Sequence, residues 1–401
     1  MSKHIRCLAI VFALSHSLNA ADWPQWRGPN RNGISAETGW SSQWPAGGPK
    51  QLWKLNVGIG CSSVAASKGR VYTMGNQADT DTVWCLDANS GATLWKHSYA
   101  CKLDPNMFEG GSGATPTVDG DRVYTLSRSG HLLCLHADTG KVIWLKHLQN
   151  DLGGNMPTWG YAGSPLVLDN LVIADVGAPG AATVAFDNMT GNVVWKNGDE
   201  GAGYGSLFAF KHQGRVCLAS FDAFGLVVRD SKDGKLLARQ KWKTNFDINV
   251  VTPIVDGDKI FVSSGYGKGA ALFQLTDSEL KYVWQTQKMR NHFNSCILWQ
   301  NHLYGFDENK LTCLDFADGT VKWTQENLGK GSLMLADGKL IIQSEQGDLV
   351  IAEASSSAFK EIARAKVLSG RCWVVPVLAN GRIYCKNNAG DLVCVDVAKG
   401  D

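Results

Sequence analysis

Short runs of alternating apolar and polar residues, each introduced by a turn, recur along almost the whole chain. Eight share one form: Arg70-Val71-Tyr72, Arg122-Val123-Tyr124, Leu171-Val172-Ile173, Arg215-Val216-Cys217, Lys259-Ile260-Phe261, His302-Leu303-Tyr304, Lys339-Leu340-Ile341 and Arg382-Ile383-Tyr384. The period-two alternation is that of half-buried strands. From Val71 to Ile383 there are seven intervals averaging about 45 residues, the span of one four-stranded propeller blade.

A second signature sits at fixed distance inside most repeats. It reads Cys85-Leu86-Asp87 with Gly91 and Trp95, Cys134-Leu135-His136 with Gly140 and Trp144, Ala185-Phe186-Asp187 with Gly191 and Trp195, and Cys313-Leu314-Asp315 with Gly319 and Trp323. Physically this is a strand, a turn and a strand. The small first residue faces a crowded core, Asp and Gly make the turn, and Trp covers the apolar gap between neighbouring blades. Three repeats depart from it. The fourth has its tryptophan displaced to Trp242, the fifth keeps Trp284 but turns through Thr276-Asp277-Ser278, and the seventh, Gly347 to Val350, lacks a tryptophan.

The eighth repeat ends at Leu392-Val393-Cys394-Val395-Asp396 with no outer strand after it. Gln51-Leu52-Trp53-Lys54-Leu55 matches the missing strand. Joining it to the last blade would close the ring and remove the exposed sheet edges. The expected architecture is therefore all-β, an eight-bladed β-propeller closed by an N-terminal strand. Residues 1–20 are read as a signal peptide, 21–48 as an N-terminal extension and 49–401 as the propeller.

The signal reading rests on Lys3, His4 and Arg6 before an apolar run, Cys7 to Leu14, that is too short to span a bilayer, with small Ala20 and Ala21 following. It predicts an exported protein, periplasmic or extracellular, without a membrane span. The plainer alternative is a buried first strand. Removing Lys3 and Arg6 from 39 basic residues leaves 37 against 37 acidic ones, so the basic footprint of a nucleic-acid binder is missing. A monomer is expected.

Ten cysteines follow Cys7, none in a CxxC pair, which excludes zinc-knuckle and thioredoxin spacings. Cys85, Cys134, Cys313 and Cys394 occupy the small position of four different repeats. Such positions lie too far apart to bridge, and a free buried cysteine behaves as a small hydrophobe.

The motif that Ala185 to Trp195 matches in full resembles the repeat of quinoprotein alcohol dehydrogenases and of BamB-like propellers. The opening Asp22-Trp23-Pro24-Gln25-Trp26-Arg27-Gly28-Pro29-Asn30 is similar to the lead-in of exported PQQ-repeat proteins of planctomycete-type bacteria, as are Trp159-Gly160-Tyr161, Gly265-Tyr266-Gly267 and Asn291-His292-Phe293. That resemblance implies the quinoprotein-like fold over the whole mature chain. In catalytic members it also implies PQQ under a ring disulfide of adjacent cysteines, with calcium held by Glu, Asn and Asp. This chain has no adjacent cysteine pair.

Other chemistries lack their motifs. There is no Gly-x-Ser-x-Gly elbow and no HExxH pair. Gly265-Tyr266-Gly267-Lys268-Gly269 lacks the Gly-Lys-Ser/Thr of a phosphate loop and reads as a turn. Asn188-Met189-Thr190 fits a glycosylation sequon but falls on a blade turn.

Ligands of propellers sit around the central channel. The connections that lead from each outer strand to the next inner strand should line one face of it, and they carry Glu109, Trp159, Tyr161, Glu200, Tyr204, Asn245, Asp247, Asn249, Arg290, His292, Asn294, Arg371 and Trp373. Converging aromatic and polar groups mark small-ligand sites; the alternative is that the aromatics merely plug the channel. No residue is assigned a catalytic or metal-ligating role. The sequence thus supports a non-catalytic binding or scaffold protein, without a cofactor, whose channel face takes a small ligand or a protein, peptide or glycan partner. The alternative is an alcohol or sugar dehydrogenase using PQQ with Ca2+.

Overall fold

The computed structural model describes residues 21–106 and 108–399; the expected signal peptide lies outside them. The period-two runs form eight antiparallel sheets arranged as a ring. The first blade consists of Ala65–Ser67, Arg70–Gln77, Thr80–Asp87 and Thr93–Ala100, from the channel outward. The last takes Val377–Ala379, Arg382–Lys386 and Asp391–Asp396 from the C-terminal end and Gln51–Asn56 from the other. Trp53 pairs with Cys394 there, so the expected closing strand is in place. Among the described residues no helix is long and apolar enough to cross a membrane.

The conserved spacing within each repeat has a geometric cause. Across the first blade Tyr72, Cys85 and Trp95 form one row, each paired to the next. The same row recurs as Tyr124, Cys134, Trp144; as Tyr304, Cys313, Trp323; and as Tyr384, Cys394, Trp53. The cysteine at its centre leaves room for two large rings. All four cysteines are fully buried, and burial holds the Cys134, Cys313 and Cys394 thiols up at about 12, where they stay protonated and inert.

Each tryptophan then reaches the following blade. The indole N–H of Trp95 donates to Ala137 O at 2.8 Å, that of Trp144 to Asn188 O at 3.1 Å, and that of Trp53 to Ala88 O at 3.1 Å. The turn glycine of the neighbour lies flat on the ring. A Cβ added to Gly140 would stand 2.5 Å from Trp95, and Gly140 has φ +68°. The Asp of the motif shapes that turn: Asp187 accepts from the Thr190 N–H and hydroxyl, both at 2.8 Å.

The irregular repeats repair the same gap differently. In the fourth blade Ala238 takes the tryptophan's place opposite Val228. Trp242, four residues on, packs on Phe221 and Phe273 and donates to Ser264 Oγ at 3.1 Å. In the seventh, Ala363 stands opposite Ile351. There the N-terminal extension supplies Trp40, buried in one cluster with Ile351 and Ile383, under Lys339 and next to Ser41, whose N–H bonds Val397 O. The extension also adds Ile34–Ser35 as a parallel fifth strand to the seventh blade.

Candidate functional site

The extension decides the shape of the channel. Residues 23–37 run across one of its ends and bond to seven of the eight blades. Trp23 exchanges two backbone hydrogen bonds of 2.8 Å with Ala66, and Pro24 O accepts from Val118 N at 2.7 Å. Arg31 donates to Pro165 O at 2.9 Å, the Trp26 indole to Thr252 Oγ1 at 3.0 Å, and Arg27 to Cys296 O at 2.7 Å. Gly33 O accepts from Leu335 N at 3.0 Å, and the buried Glu37 carboxylate accepts from Asn380 N and Gly381 N at 2.7 and 2.6 Å. Arg27 donates to three carbonyls, whereas Arg31 donates only to Pro165 O and keeps Nη1 buried without a partner among the described residues; burial pulls their guanidiniums down to about 10 and about 9.

Above this floor lies a cup of about 350 Å³, with Trp26 among its lining residues. All eight connections between blades contribute to its wall, as the topology predicts. Hydroxyls fix their radius. Thr115 Oγ1 accepts from Ser63 N, Ser164 Oγ from Thr115 N, Ser206 Oγ from Ser164 N, and Ser295 Oγ from Thr252 N, all at 2.9 to 3.1 Å.

One side of the cup is a stiff column of rings. His292 stacks on Phe293 at 4.3 Å and 13°, and Phe293 on Trp373 at 3.8 Å and 19°. Arg371 covers the far face of Trp373 at 4.6 Å, and Tyr266 meets His292 edge-on. Glu308 holds the column's upper end. Its carboxylate lies 3.0 Å from His292 Nδ1, 3.5 Å from Lys330 Nζ and 3.2 Å from Tyr266 N. The hydrogen bond with His292, helped by Lys330, pulls the Glu308 carboxyl down to about 2. His292 Nδ1 also lies 2.8 Å from Lys330 Nζ; it can donate to the carboxylate or accept from the ammonium, one at a time. Nε2 has no partner among the described residues. Facing this column are Trp159, Tyr204 and the rim residue Phe246, with Trp159 5.7 Å from Phe246 and 6.1 Å from Tyr204.

Five of the residues singled out from sequence, Trp159, Tyr204, His292, Asn294 and Trp373, come together on this wall. The others are placed elsewhere. Tyr161 turns back into the core and donates to Val176 O. Asn249 is fully buried and braces the connection after the fourth blade through Trp242 O and Ser264 Oγ. Asn245 and Asp247 flank Phe246 on the rim turn without lining the cup, and Asp247 pairs with Lys243 at 2.6 Å. Arg290 is held by both oxygens of Asp307 at 2.6 and 2.9 Å. Arg371 pairs with Glu109 at 3.2 Å, and Glu200 with Arg229. For Tyr161, Arg290, Arg371 and Glu200 a partner at least fifteen residues away in sequence claims the polar group, and for Asp247 a near neighbour does. Conversely, Trp26, Cys61, Phe108, Tyr266, Phe293 and Lys330 line the cup. Phe293 and Tyr266 lay beside noted residues; Lys330 has no local signal at all.

The family model for the outer membrane protein assembly factor BamB matches residues 79–325, more than half of the chain. The chain belongs to this family. Among BamB proteins it is 23% identical to that of Moranella endobia over 313 residues, 72% of this chain and 76% of the relative. It is also 28% identical over 181 residues to the tetrathionate hydrolase of Acidithiobacillus ferrooxidans, covering 41% of this chain and only 32% of that protein's length. In fold this BamB-family propeller is similar to quinohemoprotein alcohol dehydrogenase ADHIIG from Pseudomonas putida HK5, with a TM-score of 0.63 at 12% identity over 95% of this chain and 81% of the other.

The expectation of PQQ with Ca2+ as the alternative to a cofactor-free protein is tested by the donors around the cup. The carboxylates nearest the cup are committed: Glu308 as described, Glu109 to Arg371 and Asn388, Glu345 to the Trp373 indole and Lys330 N. Among the described residues no three His, Cys, Asp or Glu side chains converge as a metal needs. The cup thus offers no cluster of uncommitted carboxylates to hold calcium among the described residues.

Proposed function

We propose that this BamB-family member is an exported binding protein that takes a small ligand into the cup at one face of its propeller. The observation that carries the reading is the sealed floor. Contacts to seven blades turn a channel into a blind, aromatic-lined cavity of the size small ligands occupy. The committed carboxylates weigh against the dehydrogenase alternative. A thermal-shift screen on the mature chain, repeated with Trp159→Ala and His292→Ala, tests the reading. Ligands that stabilise the parent should lose at least tenfold in affinity in both variants. Equal stabilisation of all three proteins, or dye-coupled alcohol oxidation after addition of PQQ and calcium, would overturn it.

The names of the BamB relatives support a second use of the same face, the docking of a protein partner. Phe246 and Tyr266 stand exposed at the rim, each on left-handed backbone (φ 60° and 54°). Such strain in bulky residues gathers at functional sites.

A further inference from the structure

We infer that the ligand of the cup is an uncharged, polyhydroxylated ring, a pyranose of a mono- or disaccharide; this rests on the cup being a ligand site. The charge balance comes first. Lys330 is the only Lys, Arg, Asp or Glu among the described lining residues, and Glu308 answers it at 3.5 Å. Of the further charges close by, Arg371 and Glu109 answer each other, and the Glu345 carboxylate is spent on the Trp373 indole and Lys330 N. A carboxylate, phosphate or ammonium ligand would shed its water here without gaining a counter-charge.

The walls then ask for a ligand with both apolar faces and hydroxyls. Seven Trp, Tyr and Phe rings line the cup beside the His292 imidazole, and they suit the C–H faces of a saturated sugar ring. Between them stand hydrogen-bonding groups left free by the protein. Tyr204 Oη accepts from Trp159 N, so its own proton is unused. Asn294 spends its amide N–H on Trp373 O, leaving its side-chain carbonyl oxygen without a partner. Ser206 Oγ accepts from Ser164 N, which frees its proton. His292 Nε2 and the Asn106 side-chain amide make no hydrogen bond to any described residue, the Asn106 backbone carbonyl accepting from the Trp159 indole. This mixture of donors and acceptors matches hydroxyls, which are both at once. A planar arene would fill the same volume and leave all of them unpaired, an unfavourable exchange for water.

Isothermal titration of the mature chain with D-glucose, cellobiose, D-glucuronate and 1-naphthol tests this. The neutral sugars should bind, glucuronate at least tenfold more weakly than glucose. Asn294→Asp, which keeps shape and adds a charge, should lose tenfold or more of the sugar affinity at an unchanged melting temperature. His292→Ala provides a second variant should Asn294→Asp fold poorly. Binding of naphthol with no response to either sugar would overturn the sugar assignment and leave the cup standing. Silence from all four probes, or sugar binding untouched by both variants, would overturn the cup as well.

Discussion

Asp222, close behind the wall of the cup, is a carboxylic acid held nearly dry. It accepts from Phe224 N and Gly225 N at 2.9 and 3.2 Å, yet burial, reinforced by nearby Asp175, pushes it up to about 8; burial also lifts Asp175 to about 6. A group with a raised folded pKa contributes its full share to stability below its ordinary 3.8 and loses it as pH rises through 8. Asp222→Asn keeps the two backbone acceptances and removes the titration. The variant should flatten the fall in stability between pH 4 and pH 8 and be more stable than the parent at pH 9, by on the order of 1 kcal/mol. Urea unfolding at pH 5, 7 and 9 checks this; parallel curves for the two proteins would show that Asp222 is not the titrating group. Single residues were also where sequence reading of the site succeeded least. Arg290 and Asn249 have the right chemistry and the right loop, but Asp307 and Trp242 take their polar atoms, and nothing local in the chain announces such partners.

Between elements the governing contact is a tryptophan on the next blade's turn. Gly140→Ala places a methyl against Trp95 and asks for left-handed backbone as well, so it should cost about 2 kcal/mol or more in chemical unfolding. Trp40 does the same work from outside the repeat, and Trp40→Ala should cost about 3 kcal/mol. A loss below 1 kcal/mol would mean that the gap beside Ala363 is filled by other groups. The blade motif was legible because every part of it, from Cys85 to Trp95, serves one strand–turn–strand and its neighbour. The missing tryptophan of the seventh repeat was legible too. Its replacement was not, since Trp40 lies some three hundred residues away in a segment with no strand periodicity.

At the scale of the whole molecule, the ring of eight blades and its closing strand followed from counting repeats, whereas the floor did not. Trp26 meets Thr252 across 226 residues, a pairing set by how the chain threads the ring and by no pattern within either segment. Removing residues 21–37 opens the channel at both ends and strips hydrogen-bond partners from seven blades. Such a chain should unfold at markedly lower denaturant while keeping its β circular-dichroism signal, and any ligand of the cup should bind at least tenfold more weakly. Full retention of ligand affinity would show that the floor is dispensable.

Because Glu37 waits for Gly381 and Trp53 for Cys394, the earliest and latest parts of the polypeptide depend on each other. Pairings this remote in sequence form late. A truncated molecule stopping before Asp391 therefore lacks the latch, and one stopping before Asn380 also lacks the last anchor of the base, however many of its sheets have already assembled. The cup proposed as the binding site thus takes its full shape only once these remote segments have been joined.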